Sequence, residues 1–307
     1  MAPMTDRSDR ADADGRACRL AGVVVLYHPG EDLLDNVASC AGQVDILFAI
    51  DNSEGDTSVT ASNLRVFGNV VHVANGRNLG VAAALNRGAL LALERRCDYL
   101  LTMDQDSRAA PGMVRAMLEI IGSAGQDRVG IVAPFLVTRP GEEPGLAEDC
   151  RDMETVMTSG NLLSLRAYEA VGPFMEELFV DFVDMEYCLR LRSRGFRVVR
   201  ANRALLSHRV GRLFRVSLFG RDFFLTAHSP LRKYYKTRNR FLVADRYRDR
   251  FPRFRRADRA RFALELLRLL FFEDGKMEKL AMMRKGYSDY RSGRMGRYDD
   301  EAGGGRP

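Results

Sequence analysis

The stretch Tyr99-Leu100-Leu101-Thr102-Met103-Asp104-Gln105-Asp106 joins an apolar run to two acids one residue apart. A short apolar run that ends in polar residues is typical of a buried strand. Carboxylate oxygens are preferred ligands of Mg²⁺ and Mn²⁺, which share their coordination with substrate phosphates. Asp104 and Asp106 therefore indicate either a divalent cation that holds a diphosphate or an ordinary solvated turn. The stretch alone favours neither.

The residues around this stretch alternate between apolar runs and helical patterns. Three further apolar runs predict strands at 22–27, 44–50 and 69–74. Apolar residues at helical spacing predict helices over 31–43 and 78–96. This alternation predicts an α/β fold with a mainly parallel central sheet flanked by helices.

Polar residues follow each predicted strand. Asp51-Asn52 follows the second strand, and a cluster with Asn78 and Gly80 follows the third. Because the carboxyl ends of parallel strands share one edge, where ligands bind, we expect these residues to converge with Asp104 and Asp106. Asp51 could accept hydrogen bonds from a nucleotide base or ribose, but Asx residues are equally typical of turns. For Asn52 the turn is favoured.

The second half of the chain is less regular. Strands are predicted at 129–137, 157–165 and 196–200, a loop over 139–150, a helix over 184–194, and basic helical structure from about Arg232 onward. The first strand is not followed by Gly-x-Gly-x-x-Gly, which argues against a dinucleotide-binding fold. Ala84 and Gly88 stand at helical spacing and are interpreted as a packing face.

Two further groups of residues could carry chemistry. Asp181, Asp184 and Glu186 lie among apolar residues, where they are either helix caps or sources of a partly desolvated general base. His208 precedes a basic segment, 209–221, that is expected to be a loop. A lone histidine is a structural residue or a metal ligand, and its sequence position leaves both open.

Composition and charge narrow the class of protein. The 307 residues are 46% hydrophobic, and no window approaches the roughly 18 apolar residues of a membrane span. The first 19 residues are polar and carry no signal-like apolar core, so a disordered leader is expected. The five scattered cysteines favour reduced thiols and a cytoplasmic protein.

The net charge of +6 is concentrated between Val198 and Arg297, where basic residues alternate with aromatic ones. Such a face could meet nucleic acid, an anionic bilayer or a diphosphate ligand. No zinc-finger, RNA-recognition or helix-turn-helix signature is present, which disfavours nucleic acid. A plain solvated surface is the remaining alternative.

Taken together, these segments resemble the family 2 glycosyltransferases of the GT-A fold, and most closely their bacterial rhamnosyltransferase branch. The resemblance runs from about Gly22 to Arg246. Its matching segments are 23–27, Ile50-Asp51-Asn52, Asn78-Leu79-Gly80, Asp104-Gln105-Asp106, Thr158-Ser159-Gly160, 182–190, Tyr234-Tyr235 and Arg238-Asn239. Two departures are Val183, where many members have Glu, and His28, where Asn is common.

The resemblance implies a role for each site residue. Asp184 is the expected general base, and Asp104, Asp106 and His208 are the expected ligands of Mg²⁺ or Mn²⁺. Arg209 or Arg212 would assist the leaving diphosphate. Nucleotide-sugar contacts are expected from Tyr27, Asp51, Asn78, Gly80, Asp104, Gln105 and Gly160.

The function implied by the resemblance is inverting transfer of L-rhamnose from dTDP-L-rhamnose to a saccharide or polyprenyl-diphosphate-linked acceptor. The alternatives are another donor such as UDP-galactofuranose, a nucleotidyltransferase, or a non-catalytic nucleotide-sugar-binding protein. The expected partners also include the inner membrane surface and a second copy of the chain, but no nucleic acid. The expected domains are a leader (1–19), a GT-A domain (20–230), a basic helical region (231–291) and a disordered tail (292–307).

Overall fold

A computed structural model describes residues 18–122, 128–138, 142, 148–208, 213–218, 221–226 and 228–299. These residues form two compact units. The sheet unit takes in the described residues up to Met175 together with those from Tyr187 to 208. The helical unit consists of Glu176–Glu186 and the described residues from 213 onward. The units therefore differ from the expected domain boundaries, because 176–186 belongs with the C-terminal helices and the change of unit comes near residue 209 rather than 230.

The sheet unit is built on nine strands within the described residues. They are β1 (Leu20–Leu26), β2 (Ile46–Asp51), β3 (Val70–Ala74), β4 (Tyr99–Asp104), β5 (Ser107–Ala109), β6 (Val129–Val137), β7 (Cys150–Asp152), β8 (Asn161–Ser164) and β9 (Arg197–His208). Their order is β3-β2-β1-β4-β8-β6-β9-β5, with β7 paired to β9.

The strand directions make this a mixed sheet. Strands β3, β2, β1 and β4 are parallel to one another. Strand β8 is antiparallel to both β4 and β6, and β5 and β7 are antiparallel to β9. The expected parallel arrangement therefore holds for the N-terminal half of the sheet, where helical crossovers link the strands. In the other half β6 and β9 are also parallel to each other, and β5, β7 and β8 are the antiparallel strands among the described residues, so the expectation of a mainly parallel sheet is confirmed.

Helices cover the sheet and bury its central strands. They are α1 (Leu33–Ala41), α2 (Ser58–Leu64), α3 (Val81–Glu94), α4 (Met113–Gly122), α5 (Leu165–Val171) and α6 (Val183–Ser193), with a short 3₁₀ helix at Glu176–Leu178 before α6. Six of the seven residues of β1 are buried, which explains why the strand has an unbroken apolar sequence rather than an alternating one.

The close approach of α3 to β1 depends on small residues. Gly88 and Ala84 are buried on the face of α3 that packs on the sheet. A Cβ atom at Gly88 would lie 2.5 Å from Cγ2 of Val23. The interpretation of Gly88 as a packing residue is confirmed.

The helical unit contains a hairpin and three long helices. The hairpin pairs β10 (Leu213–Leu218) with β11 (Arg221–Thr226), and the helices are α7 (Pro230–Arg246), α8 (Pro252–Phe272) and α9 (Lys276–Arg291). The expected loop over 209–221 is thus wrong for 213–218. Helix α7 begins after Ser229, whose Oγ accepts a hydrogen bond from the backbone N–H of Arg232, with Pro230 in the first turn.

The segment after α9 is ordered where it is described, contrary to the tail expected from 292 onward. The backbone N–H of Tyr298 donates to Oη of Tyr235 at 2.7 Å, and that of Gly296 donates to the carbonyl of Glu177 at 2.8 Å. Arg294 forms an ion pair with Asp289 at 2.7 Å. Aromatic stacking and these bonds hold a Gly-rich sequence whose composition resembles that of a disordered tail. Residues 300–307 lie outside the described residues, as does most of the expected leader.

None of the helices described by the structure combines the length and the apolar content needed to cross a bilayer.

We expect Gly88→Ala to lower the free energy of unfolding by about 1–3 kcal/mol, because the new methyl group would overlap Val23 in a packed core. The matched control is Gly122→Ala, at the end of α4, where an added Cβ would meet no atom within 4 Å. This control should be neutral or stabilising by up to about 1 kcal/mol, since alanine favours the helix. Urea denaturation of the two variants measures the difference, and equal midpoints would contradict the packing argument.

Candidate functional site

The register of three parallel strands brings the first candidate residues to one edge of the sheet unit. Strand β1 lies between β2 and β4, with Leu26 opposite Asp51 and Val25 opposite Asp104. Neighbouring strands are about 4.8 Å apart, so the backbones at Asp51 and Asp104 are separated by about 10 Å. The predicted convergence of the strand ends is therefore present in the fold.

Asp51 is fully buried at the end of β2. Its Oδ1 accepts a hydrogen bond from the backbone N–H of Ser53 at 2.9 Å, and its Oδ2 lies 3.0 Å from Nε2 of His72. Burial by itself would raise the pKa of Asp51, but hydrogen bonds from Ser53 and His72 outweigh it and lower the pKa below its usual value. Asp51 is thus an ionised carboxylate held in a fixed position. Sequence reasoning missed His72, for which the only available signal was its place in the neighbouring strand.

The loops after β2 and β3 are tied together by side-chain amides. Asn52 is buried, and its Nδ2 donates to the carbonyl of Gly80 at 3.0 Å while its Oδ1 accepts from Asn75 at 2.7 Å. Asn78 Oδ1 in turn accepts from the N–H of Gly80, at the start of α3. Gly80 has a φ of 86°, which favours glycine. Asn52 is therefore a bracing residue between two loops rather than a simple turn residue.

Gln105 supports the end of β1. Its Oε1 accepts from the backbone N–H of Tyr27 at 2.7 Å, and its Nε2 donates to the carbonyl of the same residue at 3.1 Å. The Tyr27 side chain is exposed, and the following His28 has a φ of 43°, an uncommon conformation that often marks functional loops. The amide of Gln105 is thus used within the protein, where a contact to the nucleotide sugar was expected.

The two acids Asp104 and Asp106 stand on either side of the turn that joins β4 to β5. Asp104 is partly exposed and Asp106 is exposed. Ser159 accepts a hydrogen bond from the backbone N–H of Asp104 at 3.1 Å and donates to Oγ of Ser107 at 2.7 Å. This hydroxyl pair, which sequence reasoning did not identify, fixes the backbone from which both acids project.

The carboxylates of Asp104 and Asp106 suit a hard cation such as Mg²⁺, whose remaining ligands would be substrate oxygens. Within the described residues, no three His, Cys, Asp or Glu side chains are grouped as a metal site. Two carboxylates are therefore what the chain offers here, as is usual for Mg²⁺ held together with phosphates. His208 is the last residue of β9 and pairs through its backbone with Ser107, one residue after Asp106. Its side chain and the residues Arg209 and Arg212 lie outside the described part of the chain.

Gly160, which follows Ser159, occupies a closely packed position. It has a φ of 81°, and a Cβ atom there would lie 2.7 Å from Pro134 and 2.8 Å from Leu206. A cavity of about 320 Å³ opens beside it, with Ser159, Asn161, Met157, Phe135 and Arg200 in its lining. Gly160 therefore has a steric reason to be glycine, whether or not it also contacts a ligand.

The expected base lies in the helical unit, directly after a segment with an unusual backbone. Phe179, Asp181 and Phe182 have φ values of 65°, 58° and 66°, which are costly for residues other than glycine. Nδ2 of Asn239 donates to the carbonyls of Leu178, Val180 and Asp181 at 2.8, 2.7 and 2.9 Å. This single amide on α7 holds the segment in its strained conformation.

Asp181 and Glu186, the two acids nearest to the expected base Asp184, both make contacts within the helical unit. Asp181 is paired with Arg232 at 3.2 Å, and Glu186 is fully buried and accepts a hydrogen bond from Oη of Tyr247 at 2.8 Å. Asp184 is partly exposed at the start of α6, where its Oδ1 accepts from the N–H of Met185. The hydrogen bonds of Asn239 and Glu186 hold the backbone on either side of Asp184.

Known proteins are similar to this chain in sequence and in fold. Residues 23–144 match the model of the family described as glycosyl transferase family 2. The dTDP-rhamnosyl transferase RfbF of Shigella flexneri is 28% identical over 240 residues, which cover 72% of this chain and 78% of RfbF.

Several solved structures share the architecture at low sequence identity. GalNAc-T7 with UDP, GalNAc and Mn²⁺ superimposes with a TM-score of 0.60 at 13% identity, over 89% of this chain. The chain spans about half of GalNAc-T7, 54% of its length. The mannosyltransferase PcManGT of Pyrobaculum calidifontis, in complex with GDP-Man and Mn²⁺, gives a TM-score of 0.55 at 14% identity over 94% of this chain and 79% of its own.

The matched domain, the curated relative and the shared fold agree with the arrangement of the strand-end residues. The chain has the GT-A fold, and its residues 23–144 are similar to the family 2 glycosyltransferases.

Proposed function

We propose that this chain transfers a sugar from a nucleotide-diphosphate donor to an acceptor hydroxyl, with inversion at the anomeric carbon. The observation that carries the proposal is the presentation of Asp184, a partly exposed carboxylate at a helix start, on a strained and braced segment. The donor is dTDP-L-rhamnose by analogy with the Shigella relative, which is named for that activity. The product would belong to a cell-surface polysaccharide.

The residues of the sheet unit would hold the donor. The fixed carboxylate of Asp51 is suited to accept hydrogen bonds from the nucleotide base, and the braced loop at Asn78 and Gly80 lies at the start of α3. The backbone N–H groups at a helix start attract anions such as phosphate. Gln105 would act indirectly, by fixing the loop that carries the exposed Tyr27 ring.

The residues of the helical unit would handle the acceptor. Asp184 would accept the proton of the attacking hydroxyl as the new glycosidic bond forms and the nucleoside diphosphate leaves. Asp104 and Asp106 would hold Mg²⁺ or Mn²⁺, which supplies charge stabilisation for the departing diphosphate. The fold neighbours crystallised with Mn²⁺ support a divalent ion of this kind.

A contact with the cytoplasmic face of the membrane is supported by α8. Its C-terminal half exposes Leu264, Leu267, Leu270 and Phe271, with exposed fractions from 46% to 70%. The N-terminal half of the same helix exposes the arginines Arg253, Arg256 and Arg259. An apolar face beside basic residues suits reversible binding to an anionic bilayer.

Asp184→Asn should lower turnover about 10²- to 10⁴-fold while donor binding is retained, because general-base catalysis is lost. Transfer from dTDP-L-rhamnose to a lipid-linked acceptor, with donor binding followed by thermal shift, measures both quantities. Asp249→Asn, at an acid whose side chain is 86% exposed, is the matched control and should leave turnover unchanged. An Asp184→Asn enzyme with near-normal turnover would rule out the assignment.

Removal of divalent metal with EDTA should abolish transfer, and addition of Mn²⁺ or Mg²⁺ should restore it. Asp104→Asn and Asp106→Asn should each weaken this rescue, because a hard cation would lose one of its two carboxylate ligands. The measurement is the metal concentration at half-maximal rate for each variant. Full activity of the unaltered protein in EDTA would contradict metal dependence.

Replacement of Leu267 and Phe271 by Ser should release the protein from anionic vesicles without loss of folding, since both side chains are exposed. Each large apolar side chain contributes about 1.5–3 kcal/mol when it leaves water, so binding should fall at least tenfold. Vesicle sedimentation at low salt measures the bound fraction. The control is Val59→Ser together with Val66→Ser, two exposed apolar residues of the sheet unit. Equal binding by all variants would argue against the membrane surface.

A further inference from the structure

The helical unit contains a second cavity, of about 310 Å³, that none of the roles above uses. It opens between α7 and α8, and Phe182 and Met185, which flank Val183 and Asp184 in the sequence, form one side of its lining. The remaining lining contains His228 and five cationic side chains: Lys233, Lys236, Arg240, Arg261 and Arg268.

Three of these cations are neutralised by carboxylates within the lining. Lys233 pairs with Glu273 and Glu265 at 3.1 Å, and Arg240 pairs with Asp258 and Glu265. Lys236 lies 3.3 Å from Glu265, which it therefore shares with two other cations. Five cationic side chains thus face three carboxylates.

The surplus charge comes from α8. Arg261 and Arg268 are exposed, two helical turns apart, and neither forms an ion pair with any of the residues that the structure describes. Their guanidinium groups lie on the rim of the cavity, where their charge is available to a ligand. Arginine binds phosphate oxygens in a bidentate manner that lysine cannot reproduce.

The titration behaviour of nearby groups is consistent with a positive potential. Burial, together with Lys236, Arg232 and Lys233, lowers the pKa of His228 to about 4, so its ring is neutral at pH 7. Burial would raise the pKa of Glu265, yet Lys236, Arg240 and Lys233 lower it to about 2. Both groups respond to an excess of neighbouring cations.

We propose that this cavity binds the phosphate or diphosphate group of the acceptor, an inference that rests on the proposed sugar transfer. The surplus charge of Arg261 and Arg268 would attract the anionic group. Because Phe182 and Met185 lie so close in sequence to Asp184, an acceptor anchored here would have its first sugar near the base. The nucleotide donor also contains a diphosphate, so the experiment must distinguish binding of the acceptor from binding of the donor.

The surface of α8 favours a lipid-linked acceptor. Arg261 and Arg268 line the cavity from one side of the helix, and Leu264, Leu267 and Phe271 are exposed on the adjoining side. A prenyl chain attached to a diphosphate in the cavity could leave along this apolar face without crossing a charged one. A water-soluble phosphate would gain nothing from it.

The test is a thermal-shift titration of the full chain with farnesyl diphosphate, inorganic pyrophosphate and dTDP, in EDTA and in an Asp104→Asn/Asp106→Asn background. Both conditions prevent diphosphate from binding through a metal ion at Asp104 and Asp106. Farnesyl diphosphate should stabilise the protein more strongly than pyrophosphate, and dTDP should give the smallest shift. Stabilisation by pyrophosphate and dTDP without a gain from the prenyl chain would overturn the acceptor assignment, and no stabilisation by any probe would overturn the site.

Arg261→Ala/Arg268→Ala should weaken farnesyl diphosphate binding at least tenfold, because each charge-assisted contact to phosphate is worth about tenfold or more in affinity. In an enzyme with intact Asp104 and Asp106, the same two substitutions should raise the KM for the acceptor. The thermal shift produced by dTDP-L-rhamnose and Mn²⁺ should be unchanged. Arg284→Ala/Arg291→Ala, at two exposed arginines of α9 outside the cavity, is the matched control. An unchanged acceptor KM in Arg261→Ala/Arg268→Ala would refute the acceptor-binding role of the cavity without affecting the proposed sugar transfer. If the donor gave no thermal shift in the unaltered protein, the proposed function itself would be contradicted.

Discussion

The candidate donor site depends on the position of β1 between β2 and β4. This strand is apolar along its length and buried, so it must lie inside the sheet, and its two neighbours are the strands that end in Asp51 and Asp104. The parallel pairing fixes these acids at the same edge, one strand apart on each side of the end of β1. Everything else at this edge braces that arrangement: Gln105 holds the end of β1, Asn52 joins two loops, and Ser159 fixes the turn after β4.

A different kind of constraint acts in the helical unit. There Phe179, Asp181 and Phe182 adopt backbone conformations that these residues disfavour, and a single buried amide, that of Asn239, holds the carbonyls of Leu178, Val180 and Asp181. Arg238 adds hydrogen bonds to the carbonyls of Glu177 and Leu178. The partly exposed residue Asp184 follows two positions after this segment. The energy needed to keep this backbone in place is therefore supplied by α7, about 60 residues further along the chain.

Apolar runs and helical periodicity were enough to predict β1, β2, β3 and β4 together with α1 and α3, because buried parallel strands and amphipathic helices have distinct periods. The short helix α2, between β2 and β3, was not predicted. The same patterns were also enough to predict that Asp51, Asn78 and Asp104 would meet at one edge. The antiparallel strands of the other half were harder, since β5 and β7 have three residues each and their pairing with β9 depends on contacts distant in sequence. The hydrogen bonds that His72, Ser159 and Asn239 make to the candidate site could not be predicted for the same reason, because their partners are distant in sequence. The order of 292–299 was missed because Tyr298 gains its stability from Tyr235 and Tyr234 rather than from its own neighbours.

The pairing of Asp51 with His72 and Ser53 also affects how the protein responds to acid. A carboxylate whose pKa is lower in the folded than in the unfolded chain stabilises the fold at pH values above the unfolded pKa. That stabilisation disappears as the pH falls through the lowered value, because protonation removes the acceptor on which the Ser53 and His72 contacts depend. At neutral pH the end of β2 therefore carries a permanent negative charge. At that pH, a partner that binds there must offer a hydrogen-bond donor or a positive charge.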